Sequence, residues 1–193
     1  SMPFWKKSAR EYAILRGADI PDNFDEITGV MDLNDYAEYV KNVLGIDTNL
    51  EQITEAAVEI MNKHYEKDIP AKDGMTELVT REYKAGSRLV VFTASDRRSV
   101  EILLSHLGIR ECFYDIYTVY DVGLKKSDKN SYLKVAELAG MKDTSQVWVY
   151  EDILRGVKAA KEAGLNVCAV YDEDSAGDWK DIKELADKTL ELV

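Results

Sequence analysis

The chain has 193 residues, 46% of them apolar, and a formal net charge of −11. This length suits one domain with a modest insertion, and the acidic balance, without a dense run of Lys or Arg, argues against nucleic acid or an anionic membrane as a partner. No apolar stretch approaches the ~20 residues of a membrane span, and the two cysteines, Cys112 and Cys168, lie far apart, which favours a reducing, cytoplasmic setting.

The first part of the chain has a helical pattern. Apolar residues recur at three-to-four spacing over residues 4–16, 33–44, 50–67 and 75–84. We therefore predict an α-helical domain over residues 4–75 and a second domain over residues 76–193. The histidine in the first domain, His64, has no Cys or second His at ligand spacing and is interpreted as structural.

Beyond residue 87, predicted strands alternate with predicted helices. The strands are 89–92, 113–119, 147–150 and 167–170, and the helices are 96–107, 128–139, 153–163 and 179–187. The first strand, Leu89-Val-Val-Phe92, is a continuous apolar run typical of a strand buried on both faces. The alternation with short links predicts an α/β fold, in which helices cover both faces of a parallel sheet.

Polar residues follow these strands, at the edge of a parallel sheet where ligands bind. A hydroxyl and free amides at a strand-to-helix turn suit a phosphate oxygen, a lysine stabilises charge in phosphoryl transfer, and adjacent carboxylates suit Mg²⁺. The residues in these positions are Thr93 and Ala94, Lys125 and Lys126, and Glu151 and Asp152. The acidic residues 172–174 after the fourth strand lack calcium-loop spacing and are interpreted as a solvated loop.

Three of these segments look like motifs of one enzyme family. Arg88-Leu-Val-Val-Phe-Thr-Ala-Ser95 resembles the second motif of the haloacid dehalogenase (HAD) hydrolases, and Lys126-Ser-Asp-Lys-Asn-Ser-Tyr132 is similar to the third, without its usual prolines. Val147-Trp-Val-Tyr-Glu-Asp152, with Gly156 and Gly164 in the helix after it, resembles the fourth motif. The helical part before them resembles the inserted cap of the beta-phosphoglucomutase-like branch.

The resemblance implies a Rossmann-like HAD core and Mg²⁺-dependent hydrolysis of a small phosphorylated metabolite through an aspartyl-phosphate. Thr93 would be the phosphate-binding hydroxyl, assisted by the Ala94 amide. Lys126 would be the third-motif lysine, with Lys125 as the competing assignment. Glu151 and Asp152 would hold Mg²⁺, and the cap loop over residues 27–34 would select the leaving group.

The family's first motif, an Asp-x-Asp that supplies the nucleophile at the end of a central strand, is not found ahead of the cap-like helices. We therefore expect that this strand and its loop, on the order of 10–15 residues, are missing, that no nucleophile is present, and that this polypeptide gives no turnover. The strand edges left open predict distorted packing or self-association. The alternative function is a non-catalytic phosphate-binding or interaction protein derived from the same fold.

Overall fold

The computed structural model describes residues 2–191, with all side chains in that range except those of Met2, Pro3 and Lys6. The chain forms two compact units, which divide between Ile69 and Pro70. Within the described range, no helix is both long enough and apolar enough to cross a membrane.

The first unit is entirely helical. Its helices are α1 (Met2–Leu15), α2 (Phe24–Thr28), α3 (Leu33–Asn42) and α4 (Leu50–Tyr65). Helix α1 packs against α4, and its Tyr12 lies in a core with Phe24, Tyr36 and Ile53. The Tyr12 hydroxyl is hydrogen-bonded to the Thr48 hydroxyl at 2.8 Å, so this buried polar group is satisfied.

The second unit is an α/β fold, as predicted. Its strands are β1 (Leu89–Thr93), β2 (Phe113–Thr118), β3 (Trp148–Glu151), β4 (Asn166–Val170) and β5 (Lys188–Leu190). Its helices are α5 (Met75–Lys84), α6 (Arg97–His106), α7 (Val119–Val122), α8 (Lys129–Leu138), α9 (Leu154–Glu162) and α10 (Trp179–Leu185). All strand pairs are parallel.

The sheet is in two pieces. One piece has the order β1-β2 and the other the order β3-β4-β5. Among the described residues, β1 and β3 do not pair with each other, so each keeps one edge without a ladder partner. The small, divided sheet agrees with the predicted absence of a central strand between the second-motif and fourth-motif strands.

Each piece of the sheet has its own apolar core. Ile116 of β2 packs with Leu104 of α6 and Ile109, and Val91 of β1 lies against them. The other core joins β4 with α8, α9 and α10, and Phe92 of β1 packs against it. All five residues of β1 are only partly buried, so the prediction that this strand is buried on both faces is wrong. The physical reason is that β1 pairs with one strand, β2, so its other edge is not covered by a strand of the described residues.

Three short elements were not predicted. Helices α2 and α7 have only 5 and 4 residues, too few to show a helical period. Thr118 caps α7, which ends β2 one residue before the predicted limit. The last helix, predicted over 179–187, ends at Leu185 in the structure. Lys188–Leu190 form β5, whose polar start gave no strand signal.

Candidate active site

The carboxyl ends of β1, β3 and β4 carry the polar residues that the sequence placed there. Thr93 ends β1, Glu151 ends β3, and Asp172 follows β4 by two positions. All of them belong to the second unit. Two lysines, Lys126 and Lys72, each form a separate cluster with carboxylates at this edge.

Thr93 and Ala94 occupy the turn from β1 into α6. The Thr93 hydroxyl accepts a hydrogen bond from the Ser95 amide at 3.0 Å, which tightens the turn. Ala94 is exposed to solvent. Asp96 then caps α6 by accepting from the Ser99 amide at 2.9 Å. The turn therefore places the Thr93 hydroxyl and an accessible backbone at the sheet edge, and their phosphate-binding role stays a prediction.

Lys126 is the centre of the first cluster. Its Nζ lies 2.7 Å from Oε2 of Glu151, whose side chain is only 4% exposed. The same Nζ lies 5.8 Å from the centroid of the Phe92 ring, next to Thr93 in the chain. Lys126 thus touches groups from both pieces of the sheet. Lys125, the competing assignment, has an exposed side chain.

Glu151 has further donors besides Lys126. The Tyr132 hydroxyl donates to Glu151 Oε2 at 3.2 Å, and the amides of Asp152 and Ile153 donate to Oε1, each at 3.3 Å. Burial, and then the negative charge of Glu151, raise the pKa of Tyr132, so its hydroxyl keeps the proton that it donates. These donors compensate the desolvation of the Glu151 carboxylate.

Gly156 makes room for Glu151. A Cβ at this position would lie 2.6 Å from Cδ and 2.8 Å from Cγ of the Glu151 side chain. Only glycine therefore lets α9 approach the end of β3 this closely. Gly156, part of the segment that resembles the fourth motif, thus has a specific steric reason in the structure.

Lys72 is the centre of the second cluster, and sequence reasoning missed it. Its Nζ lies 2.6 Å from Oδ2 of Asp172 and 3.0 Å from Oδ2 of Asp152, and it donates to the Tyr171 carbonyl oxygen at 3.2 Å. Burial lowers the pKa of Lys72, but its hydrogen bonds to the two aspartates outweigh that effect, and the net shift is upward. Lys72 is therefore charged.

Asp172 was placed at the end of the fourth strand but given no role, because the acidic residues 172–174 were interpreted as a solvated loop. Burial raises the pKa of Asp172, but the hydrogen bonds from Lys72 and from the Asp174 amide outweigh that effect, and the net shift is downward. The signal was present: Asp172 follows a strand at the same edge as Asp152. Lys72 gave no such signal, because it lies in a loop 80 positions from Asp152.

Asp172 and Asp174 also have the spacing of an Asp-x-Asp motif. They follow β4, and both edges of β4 are paired with neighbouring strands. The oxygens of Asp172 already accept from Lys72 Nζ and, at 2.9 Å, from the Asp174 amide. Asp172 is therefore engaged in local structure.

The resemblance implies a magnesium ion at Glu151 and Asp152, and the two side chains as placed do not by themselves fit one. Glu151 faces Lys126, and Asp152 faces Lys72, so each carboxylate already has an ammonium partner. Between residues 2 and 191, no three His, Cys, Asp or Glu side chains are grouped to hold a metal ion. The magnesium assignment stays a prediction.

The predicted specificity loop belongs to the first unit. Its residues Ile27 and Thr28 end α2, and Asp32 caps α3. The loop lines a cavity of about 710 Å³ through residues that include Met31 and Asp32, and Tyr36 of α3 lines it as well. Lys7 of α1 also lines this cavity, so a cation is present there although the loop has none.

Comparison with known proteins agrees with this architecture. The family model for "Haloacid dehalogenase-like hydrolase" matches residues 9–170. Because this match covers most of the chain, the protein belongs to the haloacid dehalogenase-like hydrolases. The family predicted from the three motifs is confirmed.

Individual relatives are more distant. The chain is 30% identical over 92 residues to the fructose-1-phosphate phosphatase YqaB of Escherichia coli (strain K12), covering 48% of each protein. It is 27% identical over 133 residues to YhcW of Bacillus subtilis (strain 168), covering 69% of this chain and 60% of that protein. The matches thus span about half the length of these relatives.

A solved structure shares the fold. The crystal structure of a beta-phosphoglucomutase-like protein from Thermotoga maritima superposes with a TM-score of 0.76, covering 98% of this chain and 87% of that one at 21% identity. At this identity the likeness concerns the fold. It supports the predicted Rossmann-like core.

Proposed function

We propose that the protein binds phosphate monoesters of small metabolites at the carboxyl ends of β1 and β3, in a site built for their hydrolysis. The observation that carries the proposal is the position of Lys126. Its ammonium is fixed by Glu151 at 2.7 Å and lies beside Phe92, the residue before the Thr93 turn. An anion held by this turn would therefore meet a positive charge.

Each residue has a separate part in this proposal. The Thr93 hydroxyl and the Ala94 amide bind phosphate oxygens, and Lys126 neutralises the charge that develops during phosphoryl transfer. Glu151 acts as a positioning residue, since it holds Lys126 without touching the ester. Fructose 1-phosphate, the substrate named for the E. coli relative, indicates the substrate class. The unpaired Cys112 and Cys168 support a cytoplasmic site of action.

Lys126 and Lys125 form a matched pair for testing phosphate binding. Calorimetric titration with inorganic phosphate and fructose 1-phosphate should show binding by the wild type and at least about tenfold weaker binding by Lys126→Met. Lys125→Met removes the same charge one position away and should stay within about twofold of the wild type. Equal losses of phosphate affinity in both variants would mean that any nearby positive charge has the same effect, and they would contradict the proposal.

A folding control is needed, because Lys126→Met leaves Glu151 buried without its ammonium partner. The double variant Lys126→Met/Glu151→Gln removes both charges and keeps a side chain of the same length. Far-ultraviolet circular dichroism should show this variant folded. Its phosphate affinity should match that of Lys126→Met, and recovery of wild-type affinity would overturn the role given to Lys126.

Turnover is a separate question. We propose that this polypeptide binds the ester without hydrolysing it, because the first aspartate of its Asp172-Glu-Asp174 segment is held by Lys72 at 2.6 Å. Release of p-nitrophenol from its phosphate ester should therefore be absent. Turnover that Asp172→Asn abolishes would contradict this expectation and place the nucleophile at Asp172 after all.

A second candidate is a non-catalytic binding protein. It is favoured by the lysine partners of Glu151 and Asp152, which already neutralise both carboxylates. Adding an Asp-x-Asp strand and loop of the kind that the family's first motif provides to the amino terminus distinguishes the two candidates. Turnover in the extended protein supports the hydrolase, whereas phosphate binding without turnover supports the second candidate.

The divided sheet also supports self-association. Within residues 2–191, β1 and β3 each have one edge without a ladder partner, and two aromatic side chains of β3, Trp148 and Tyr150, are 40% and 41% exposed. Such edges pair readily with other chains. Light scattering after size exclusion should show a mass that rises with concentration, and a monomer at every concentration would contradict this proposal.

A further inference from the structure

Lys72 occupies a position where a cation would meet three oxygen atoms. Its Nζ lies 2.6 Å from Oδ2 of Asp172, 3.0 Å from Oδ2 of Asp152 and 3.2 Å from the Tyr171 carbonyl oxygen. Carboxylate and carbonyl oxygens are the ligands that hard divalent cations prefer. The ammonium therefore holds a place whose surroundings suit a metal ion.

The backbone around Lys72 helps to keep it there. Pro70 restricts its own φ angle, and Gly74 starts α5 with a φ of 69°, in the left-handed region. Lys72 lies between these two restrained positions. Since the lysine is tethered to the chain near its partners, it acts at a high effective concentration that a free ion must overcome.

The second lysine of the site differs in this respect. Lys126 pairs with Glu151, which is nearly fully buried and also accepts from Tyr132 and two backbone amides. Asp152 and Asp172 are more open, with 36% and 26% of their side-chain surface exposed. An ion from solvent would therefore compete at Lys72 and not at Lys126.

We propose that Lys72 is a built-in cation that excludes divalent metal ions from Asp152 and Asp172. The wild-type chain then has no high-affinity divalent site at the end of β4, and removal of the Lys72 charge creates one. This inference rests on the proposed function for its role in the cell. The ion binding itself is measured without any phosphate ester.

The test is a titration of the 193-residue chain with Mn²⁺, following free Mn²⁺ by electron paramagnetic resonance. Lys72→Met should bind Mn²⁺ at least about tenfold more tightly than the wild type. Adding Asp152→Asn to this variant should abolish the gain. Equal affinity in the wild type and Lys72→Met, or no binding by either, would overturn the inference, and neither result would alter the phosphate titration that tests the proposed function.

The matched control is Lys161→Met. Lys161 also holds an aspartate in the second unit, with Nζ 2.7 Å from Oδ2 of Asp187, and its loss changes the net charge equally. It should bring no gain in Mn²⁺ affinity, and a gain equal to that of Lys72→Met would overturn the inference.

A second variant guards against poor folding. Lys72→Gln keeps a hydrogen-bond donor for the aspartates without the charge. Mn²⁺ should raise the melting temperature of Lys72→Gln more than that of the wild type, because only the folded variant binds the ion. An equal rise in both proteins would count against the inference.

Discussion

The two pieces of the sheet enclose similar strands to very different extents. β4, with the sequence Asn-Val-Cys-Ala-Val, pairs on both edges, and its last four residues are buried. β1, with the sequence Leu-Val-Val-Phe-Thr, is at least as apolar, but it pairs on one edge and all its residues are only partly buried. Burial here depends on neighbouring strands, since the composition of the two strands would suggest the reverse.

The sharpest test of this difference is one substitution made in both strands. Val167 of β4 is 0% exposed and lies in a closed core, so Val167→Ala should lower the free energy of unfolding by about 2–3 kcal/mol through lost burial and a cavity. Val91 of β1 is partly buried, and Val91→Ala should lower it by about 1 kcal/mol. Urea unfolding monitored by circular dichroism measures both.

Protein concentration is the control for the valine pair. If self-association covers β1, the loss for Val91→Ala should grow as the concentration rises, whereas the loss for Val167→Ala should stay constant. Equal losses of unfolding free energy in dilute solution would mean that β1 is as well enclosed as β4, which would contradict the difference between the two pieces of the sheet.

Gly156 offers a second test, within the better enclosed piece. Gly156→Ala brings a Cβ to 2.6 Å from the Glu151 side chain, which its hydrogen bonds hold in place, so α9 or Glu151 must shift. Overpacking should lower the free energy of unfolding by about 2 kcal/mol, more than the ~0.5–1 kcal/mol that alanine gains over glycine within a helix.

Gly177 is the control for Gly156. A Cβ there meets nothing within 4 Å, and its φ is not in the left-handed region. Gly177→Ala should therefore change the stability by no more than about 0.5 kcal/mol. If both variants unfold like the wild type, α9 is not fixed against β3 by close contact.

The features that the sequence predicted depend on local patterns. The four apolar strands, the helices between them and the positions of Thr93, Lys126 and Glu151 all follow from residues close together in the chain. Lys72 could not be predicted, because its partners Asp152 and Asp172 reach it only in the folded state. The prediction that β1 is buried on both faces failed for the same reason, since an apolar run does not show whether a neighbouring strand is present.

The smallest predicted effect concerns a matched pair of carboxylates, Asp115 in β2 and Asp187 directly before β5. Asp187 accepts from Lys161 at 2.7 Å and from the Val167 amide at 2.8 Å, and Asp115 accepts from Arg97 at 2.9 Å and from the Ile116 amide at 2.7 Å. These partners, with the side-chain hydrogen bond first in each case, lower the pKa of both carboxyls from the usual 3.8.

A pKa that folding lowers means that the unfolded chain takes up protons first as the pH falls. The contribution of each aspartate is therefore complete above pH 3.8 and is lost as the pH falls through the lower pKa of the folded state. Both side chains are 37% exposed, so Asp187→Asn and Asp115→Asn should each lower the stability by no more than about 1 kcal/mol at neutral pH.

Urea unfolding at a series of pH values should show both losses shrinking together below pH 3.8. If the two losses are equal while the two valine losses differ, the pieces of the sheet differ in apolar enclosure and not in their ion pairs, whereas a much larger loss for Asp187→Asn would assign the difference to electrostatics.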